Sequence, residues 1–543
     1  MTWLRYLPPF VAVFAMAVIA RRVHAPKLDV LTGWLSSRWM PIVAGAVTAL
    51  VVWFTWGSLQ HGGASHDERA YLLQAGIFAL GKWVAAAPPM PEFFEQMHVL
   101  VTPVLAAKYP PGHSLLLVPG ILLGLPGLMP VVLNGIAGGL VFALARRVTN
   151  PWVALLAWLF WATSGENLRW RASYYSEVTT SVTVLLAWWS FLNWRLTSRR
   201  SFLLLLAAAT GWGAITRPLT MLAFALPMGA VALYDIVRKR AWRDLPPAVA
   251  VTVAVLAILP VWSKATTGSW SQSPLGVYTK EYMPWDKMGF GLDSTPPVRA
   301  LPPDLVRVAD EFIVMHRAYT VRSLPGELTF RLLAVLRSTW INWRLGLLPF
   351  ALLGLLVMPA TIAFATGSAL LLGLAYGVYA HAPEWTVYYL EAMPVLAMLT
   401  ALGIWRAIEF TLRNAASSKD PLVPGHTALA ALGLVALSFT RVPSEVRTAR
   451  IVVSNTTIEQ RKFREAVDKL PGEKTLVFVR YTPRFIGHFS LVQNEPDFNS
   501  ATSWIAYDRG PENEALMRLA PGRRVYLSDQ LQRSFTEIPR TTP

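Results

Sequence analysis

An acidic pair, Asp67-Glu68, opens a polar stretch running from His66 to Gly112, and a lone cation closes it in the run Lys108-Tyr109-Pro110-Pro111-Gly112. A carboxylate at a membrane surface can act as a general base, taking the proton from an acceptor hydroxyl as that oxygen attacks an electrophilic carbon. An ammonium at the lipid boundary suits a phosphate oxygen, because low dielectric strengthens the attraction. The two prolines stiffen the backbone beside Lys108 and limit the entropy lost on binding. Plainer roles stand beside these. The acidic pair would cap a helix starting near Arg69, and Lys108 would snorkel to lipid head groups.

Two more charged residues lie near apolar runs. Glu177, in RWRASYYSEVTTS, sits at the start of one, where an acid is costly to bury and therefore a functional candidate. Its alternative is a structural pair with Arg169 or Arg171. Arg217, in Thr216-Arg217-Pro218, would either complement a phosphate or lock two spans through their carbonyls. His66, His98 and His113 surround the same stretch without close metal-ligand spacing, so no metal site is assigned to them, although help from a divalent metal stays open. No glycine-rich phosphate loop is present, so no nucleotide is implied. Cysteine is absent, which removes thiol nucleophiles, thiolate metal sites and disulfides.

The elements that must position these residues are apolar. The 543 residues are 54% hydrophobic and only 15% charged, with mean hydropathy +0.41, against roughly 25% charged in soluble domains. The net charge of +17 collects at the ends of apolar runs, the positive-inside pattern of a membrane protein rather than a nucleic-acid groove. The 23 Trp and 16 Tyr suit the two interfaces. The reading is a mainly α, polytopic bundle of about twelve spans over 1–440, with both termini outside. Spans are expected at 4–20, 41–59, 130–145, 151–164, 178–194, 202–216, 219–236, 246–262, 345–358, 361–379, 388–405 and 425–440, with a short interfacial or re-entrant helix over 113–125. Outer loops then cover 60–112 and 263–344, the second with a helix near 304–320. Residues 441–543 read as a small extracytoplasmic α/β domain, with a helix over 451–470, strands at 474–481 and 524–527, and a helix at 512–519.

The order Asp67-Glu68, Tyr71, Gln74-Ala75, PEFFEQMHVLVTP, then KYPPG and a short apolar helix resembles the GT-C superfamily of membrane glycosyltransferases. That superfamily includes protein O-mannosyltransferases and the aminoarabinose transferases that modify lipid A. The resemblance implies a sugar donor carried on a polyprenyl phosphate. It implies that Asp67 is the catalytic base, Glu68 its acidic companion, and Glu177 a second acid. It implies that Lys108 faces the donor phosphate, and Arg217, on its own residue type, is a second candidate for that phosphate. His66, Tyr71, Tyr109, His113, Arg171 and Tyr389 are candidates for the substrate pocket. In the late motif YYLEAMP, Tyr388 stands where relatives commonly carry arginine.

The implied reaction moves a sugar, with inversion, to a hydroxyl of a glycan, lipid or protein at the outer face of a bacterial inner membrane. Membrane lipids are the other partner, and nucleic acid is excluded. A transporter or flippase of lipid-linked saccharides is an alternative; that class usually shows repeated halves and polar residues at mid-membrane, and the lack of charge in mid-span disfavours it here. A non-catalytic envelope-assembly protein is the remaining rival, separable by the effect of Asp67→Asn.

Overall fold

Apolar helices build most of the chain in the computed structural model, which describes residues 28–344, 347–417, 433, 435–436, 438–482 and 490–540. Five helices are long and apolar enough to cross a membrane: Leu128–Val148, Pro218–Lys239, Trp242–Thr267, Ala360–Val378 and Thr386–Phe410. A sixth is possible if Val30–Ser36 and Met40–Trp56, bent by 79°, count as one. This is an integral membrane protein, but twelve full spans are not reached among the described residues. The expected spans 151–164 and 345–358 form helices of 12 and 10 residues, Pro151–Ala162 and Leu348–Val357. A 12-residue helix is about 18 Å long, short of a hydrocarbon core of roughly 30 Å. The expected span 4–20 lies outside the described residues, and 425–440 largely does.

Ion pairs tie the basic helix ends together. Arg195, near the end of Glu177–Thr197, bonds Asp235 at 2.7 Å, and Lys239 reaches the Arg195 carbonyl at 3.3 Å. Arg200, at the start of the next helix, bonds Asp244 at 2.7 Å.

The polar stretch of 60–112 folds into one helix and a small sheet. The helix His66–Ala79 begins at Ser65 with a capping box: Ser65 accepts from the Glu68 amide, and the Glu68 carboxylate accepts from the Ser65 amide at 2.9 Å. Downstream, Val104–Ala107 pairs antiparallel with both Ala85–Ala86 and Val99–Leu100. These strands are too short to show a period of two in sequence. Gln74 joins helix to sheet with both ends of its amide, donating to Trp83 O at 2.9 Å and accepting from Ala107 N at 3.0 Å.

The KYPPG turn then feeds the short helix Gly112–Leu122. Gly112 is needed there for space: a Cβ would lie 2.4 Å from Thr216 Oγ1 and 2.9 Å from Ile215 O. The close approach is fixed by hydrogen bonds from Gly112 N to Ile215 O (3.0 Å) and from Trp212 Nε1 to Gly112 O (3.1 Å). It sets the lysine turn beside the segment that carries Arg217.

In the second loop, helices Pro274–Tyr282 and Pro303–Ala318 form, the latter close to the expected 304–320. Met97 and Leu100 of the first loop share a core with Tyr278, Tyr282, Leu305 and Phe312 of the second.

In the C-terminal part the expected helix over 451–470 is two helices, Val442–Thr456 and Ile458–Val467. Its sheet runs in the order Ser503–Tyr507, Thr475–Arg480, Arg524–Asp529, Ser534–Glu537; the first three strands are parallel and the last antiparallel. Helix Asn513–Leu519 connects two of the parallel strands. One face of this sheet packs Leu476, Phe478 and Trp504 against Phe93, Phe94 and Leu105 of the first loop. The two loops and the C-terminal sheet are thus layered on one another.

Candidate active site

A cavity of about 1110 Å³ opens where both loops meet the bundle, and Asp67, Lys108, Glu177 and Arg217 all lie on its wall. Asp67 occupies the first turn of its helix, where the amide dipoles favour a carboxylate. The Tyr109 hydroxyl donates to Asp67 Oδ1, and His98 Nε2 lies 3.7 Å from the same oxygen. Burial and the neighbouring Asp67 charge push the Tyr109 phenol well above its usual range, so it remains a donor.

Lys108 Nζ is buried 3.5 Å from Asp286 Oδ2 and sits over the rings of Tyr109 (5.4 Å) and Tyr278 (4.8 Å). Burial opposes ionisation of Asp286, but Lys108 outweighs it, with help from His316, and holds the carboxyl below the usual range. Arg217 pairs with Glu177 at 2.8 Å and donates to Tyr376 OH at 2.6 Å and Ser176 Oγ at 3.3 Å. Its guanidinium also lies 5.3 Å from the centre of the Tyr388 ring. Tyr71 bridges the two sides of the site, since its ring stacks on Tyr109 with centroids 4.7 Å apart and its hydroxyl donates to Ser176 Oγ at 2.9 Å.

Of the residues picked out from sequence, His66, Asp67, Glu68, Tyr71, Lys108, Tyr109, Glu177 and Arg217 line the cavity together. Four of the expected site residues have other partners in the structure. Glu68, read as an acidic partner in the chemistry, is buried at the third helix position; Oε2 accepts from the Ala64 and Ser65 amides and Oε1 from Tyr174 N, each at 2.9 Å. Both oxygens are taken, so it builds the corner that presents Asp67. Arg171 does not line the cavity. It is buried against Trp161 and donates to the carbonyls of Trp161 (3.0 Å) and Ala162 (3.1 Å). His113 is buried with its ring nitrogens 2.8 Å from Thr179 Oγ1 and Tyr174 O, so it does not join the other two histidines. Tyr389 points to His381 Nε2 at 3.0 Å, and its neighbour Tyr388 is the one on the cavity wall.

His98, Asp286, Tyr379 and Tyr388 were not picked out as site residues. Asp286 stands in the aromatic-rich run MPWDKMGF, an isolated acid among apolar residues, and that was the available signal. Nothing local indicated that it faces Lys108.

Loop helices and a small, mainly parallel sheet lie over a helical bundle, with a charged cavity where they meet, and this is the fold of solved polytopic membrane proteins. The whole chain is similar to ArnT from Cupriavidus metallidurans bound to undecaprenyl phosphate, with a TM-score of 0.54 at 15% identity, covering 91% of this chain and 94% of that one. The apo form of the same protein matches equally, with a TM-score of 0.54 over 92% and 93% of the two chains. The apo oligosaccharyltransferase of Archaeoglobus fulgidus is more distant, with a TM-score of 0.41 at 12% identity over 84% of this chain and 64% of that one. No family model and no curated protein sequence matches the chain.

Proposed function

We propose that this protein is a membrane glycosyltransferase that moves a sugar from a polyprenyl-phosphate donor to an acceptor hydroxyl on the extracytoplasmic face. The observation that carries the reading is the sharing of one cavity by Asp67, Lys108 and Arg217, in a fold whose solved example ArnT holds undecaprenyl phosphate. Asp67 is the general base. It takes the acceptor proton while the oxygen attacks the anomeric carbon and the lipid phosphate departs. Tyr109 donates to one oxygen of Asp67 and so orients the carboxylate. Lys108 and Arg217 stabilise the leaving phosphate, an electrostatic contribution that grows where water is excluded. Glu177 holds Arg217 in place. One base with no second nucleophile implies inversion at the sugar.

The test uses purified protein in nanodiscs with a polyprenyl-phosphate-linked sugar. Asp67→Asn should slow transfer by about 100- to 10,000-fold, the range for losing a general base, while donor binding is kept. Transfer at the wild-type rate by Asp67→Asn would remove the base.

A further inference from the structure

We propose that Asp286 is the positioning residue of the donor-phosphate site, holding the Lys108 ammonium in place at the cavity wall. The inference rests on the phosphate role given to Lys108 above and adds a group that the proposed reaction does not otherwise use.

Lys108 is 4% exposed and Asp286 6% at their side chains. A buried ammonium is tolerated when a carboxylate compensates it, and removing one partner leaves an expensive unpaired charge. Asp286 is itself held from behind. The Tyr379 hydroxyl donates to its Oδ1 at 3.1 Å, and His316 Nε2 lies 3.8 Å from the same oxygen. Oδ2 is thereby left to face the lysine. Other groups around Lys108 do not substitute for this carboxylate. Tyr109 and Tyr278 offer ring faces, the His98 carbonyl accepts from the Lys108 backbone amide at 2.9 Å, and the His98 ring lies 3.7 Å from Asp67 Oδ1. Asp67 is engaged by Tyr109, and Glu95, which neighbours Tyr278, is paired with Arg299 Nε at 2.8 Å. Lys287, next in sequence to Asp286, is engaged with Asp293 at 2.6 Å.

The arrangement makes a directional prediction. Asp286 is the carboxylate that faces the Lys108 amine at 3.5 Å, yet as an anion it also repels an incoming phosphate. An ammonium buried without its carboxylate gives up a proton more readily. Losing the carboxylate should therefore leave phosphate binding intact or tighter in acid and weaken it in alkali. A residue with only a packing role would lower affinity equally at every pH.

The experiment measures binding of undecaprenyl phosphate to the full-length protein in nanodiscs from pH 6 to 10. Ionisation of the lipid phosphate is common to all variants and cancels in the comparison. D286N is expected to bind at least as tightly as wild type at pH 6 and about tenfold more weakly at pH 9, with D286E restoring the wild-type profile. A folded D286N with the wild-type profile, or with a uniform loss at all pH values, overturns the assignment. Where D286N does not fold, Y379F decides: a loss of about threefold confined to alkaline pH supports the assignment, and an unchanged profile overturns it. K108A separates the two readings. If K108A binds normally, the phosphate role of Lys108 fails; if K108A binds poorly while D286N is unaltered, only the role of Asp286 fails.

Discussion

Tyr109 touches both halves of the proposed chemistry, giving its hydroxyl to Asp67 and the face of its ring to Lys108. Tyr109→Phe keeps the ring and removes the donor. It should lower kcat for transfer by about tenfold with donor affinity preserved, since a hydrogen bond to a charged group is worth roughly 1.5–3 kcal/mol. Equal kcat for the variant and wild type would show that Asp67 needs no orienting partner. Asp67, Lys108, Glu177 and Arg217 were picked out in sequence as charged residues near apolar runs, each with a plainer use beside it, and all four border the cavity. Residue types did not resolve direction. Tyr388 faces the cavity and Tyr389 turns away, a choice made by packing of the short helical turn Thr386–Ala392. Likewise Arg169 and Arg171 offered themselves as partners for Glu177, but Arg169 pairs with Glu166 at 2.7 Å and Arg217 takes Glu177.

At the scale of elements, the lysine turn is placed by a near contact of backbones at Gly112. Gly112→Ala introduces a methyl with no room between Thr216 Oγ1 and the Ile215 carbonyl. Overpacking of this kind costs about 1–3 kcal/mol, so the variant should melt several degrees lower and bind donor more weakly, because Lys108 moves away from Arg217. A melting temperature equal to wild type would mean that the turn is not held by this contact. The helix expected to start near Arg69 behind the acidic pair starts at His66 instead, with Ser65 as its cap, Asp67 inside its first turn and Glu68 closing the capping box. The strands Ala85–Ala86 and Val99–Leu100 were not legible, being two residues each and stabilised by partners in the layer above. Helix lengths were misjudged in both directions: Pro151–Ala162 and Leu348–Val357 stop at Thr163-Ser164-Gly165 and Met358-Pro359, short of the expected spans, whereas Leu128–Val148 and Glu177–Thr197 run longer than expected.

Across the whole molecule, the C-terminal sheet is braced against both loops. Arg69, two residues beyond Asp67, donates to the Ser490 carbonyl as well as to Gly63 O (3.2 Å) and Ala64 O (3.2 Å). Tyr507 of the sheet donates to Asp304 Oδ2 at 3.1 Å, at the start of the helix that ends near His316. Burial, only partly offset by Ser490 and Tyr507, pushes the Asp304 carboxyl up to about 6. The folded state therefore binds this proton more tightly than the unfolded chain. Its contribution is fully present below about pH 4 and declines as pH rises to about 6, a displacement worth roughly 3 kcal/mol. Asp304→Asn should remove that slope, so unfolding of the variant depends less on pH between 4 and 6 than that of wild type. Identical slopes would show that Asp304 ionises as freely in the fold as outside it. Sequence marked 441–543 as α/β but gave no sign of these braces, which join residues more than two hundred positions apart.

The central claim is that the lipid phosphate is received at the cavity wall formed by Lys108 and Arg217, with Asp67 facing the same space. The most direct measurement is a cryo-EM structure of the full-length protein in nanodiscs with undecaprenyl phosphate. The phosphate should lie in contact with the Lys108 and Arg217 side chains, inside the cavity that Asp67 borders. A phosphate bound elsewhere on the molecule, with those two cations still engaged only by Asp286 and Glu177, would contradict the claim.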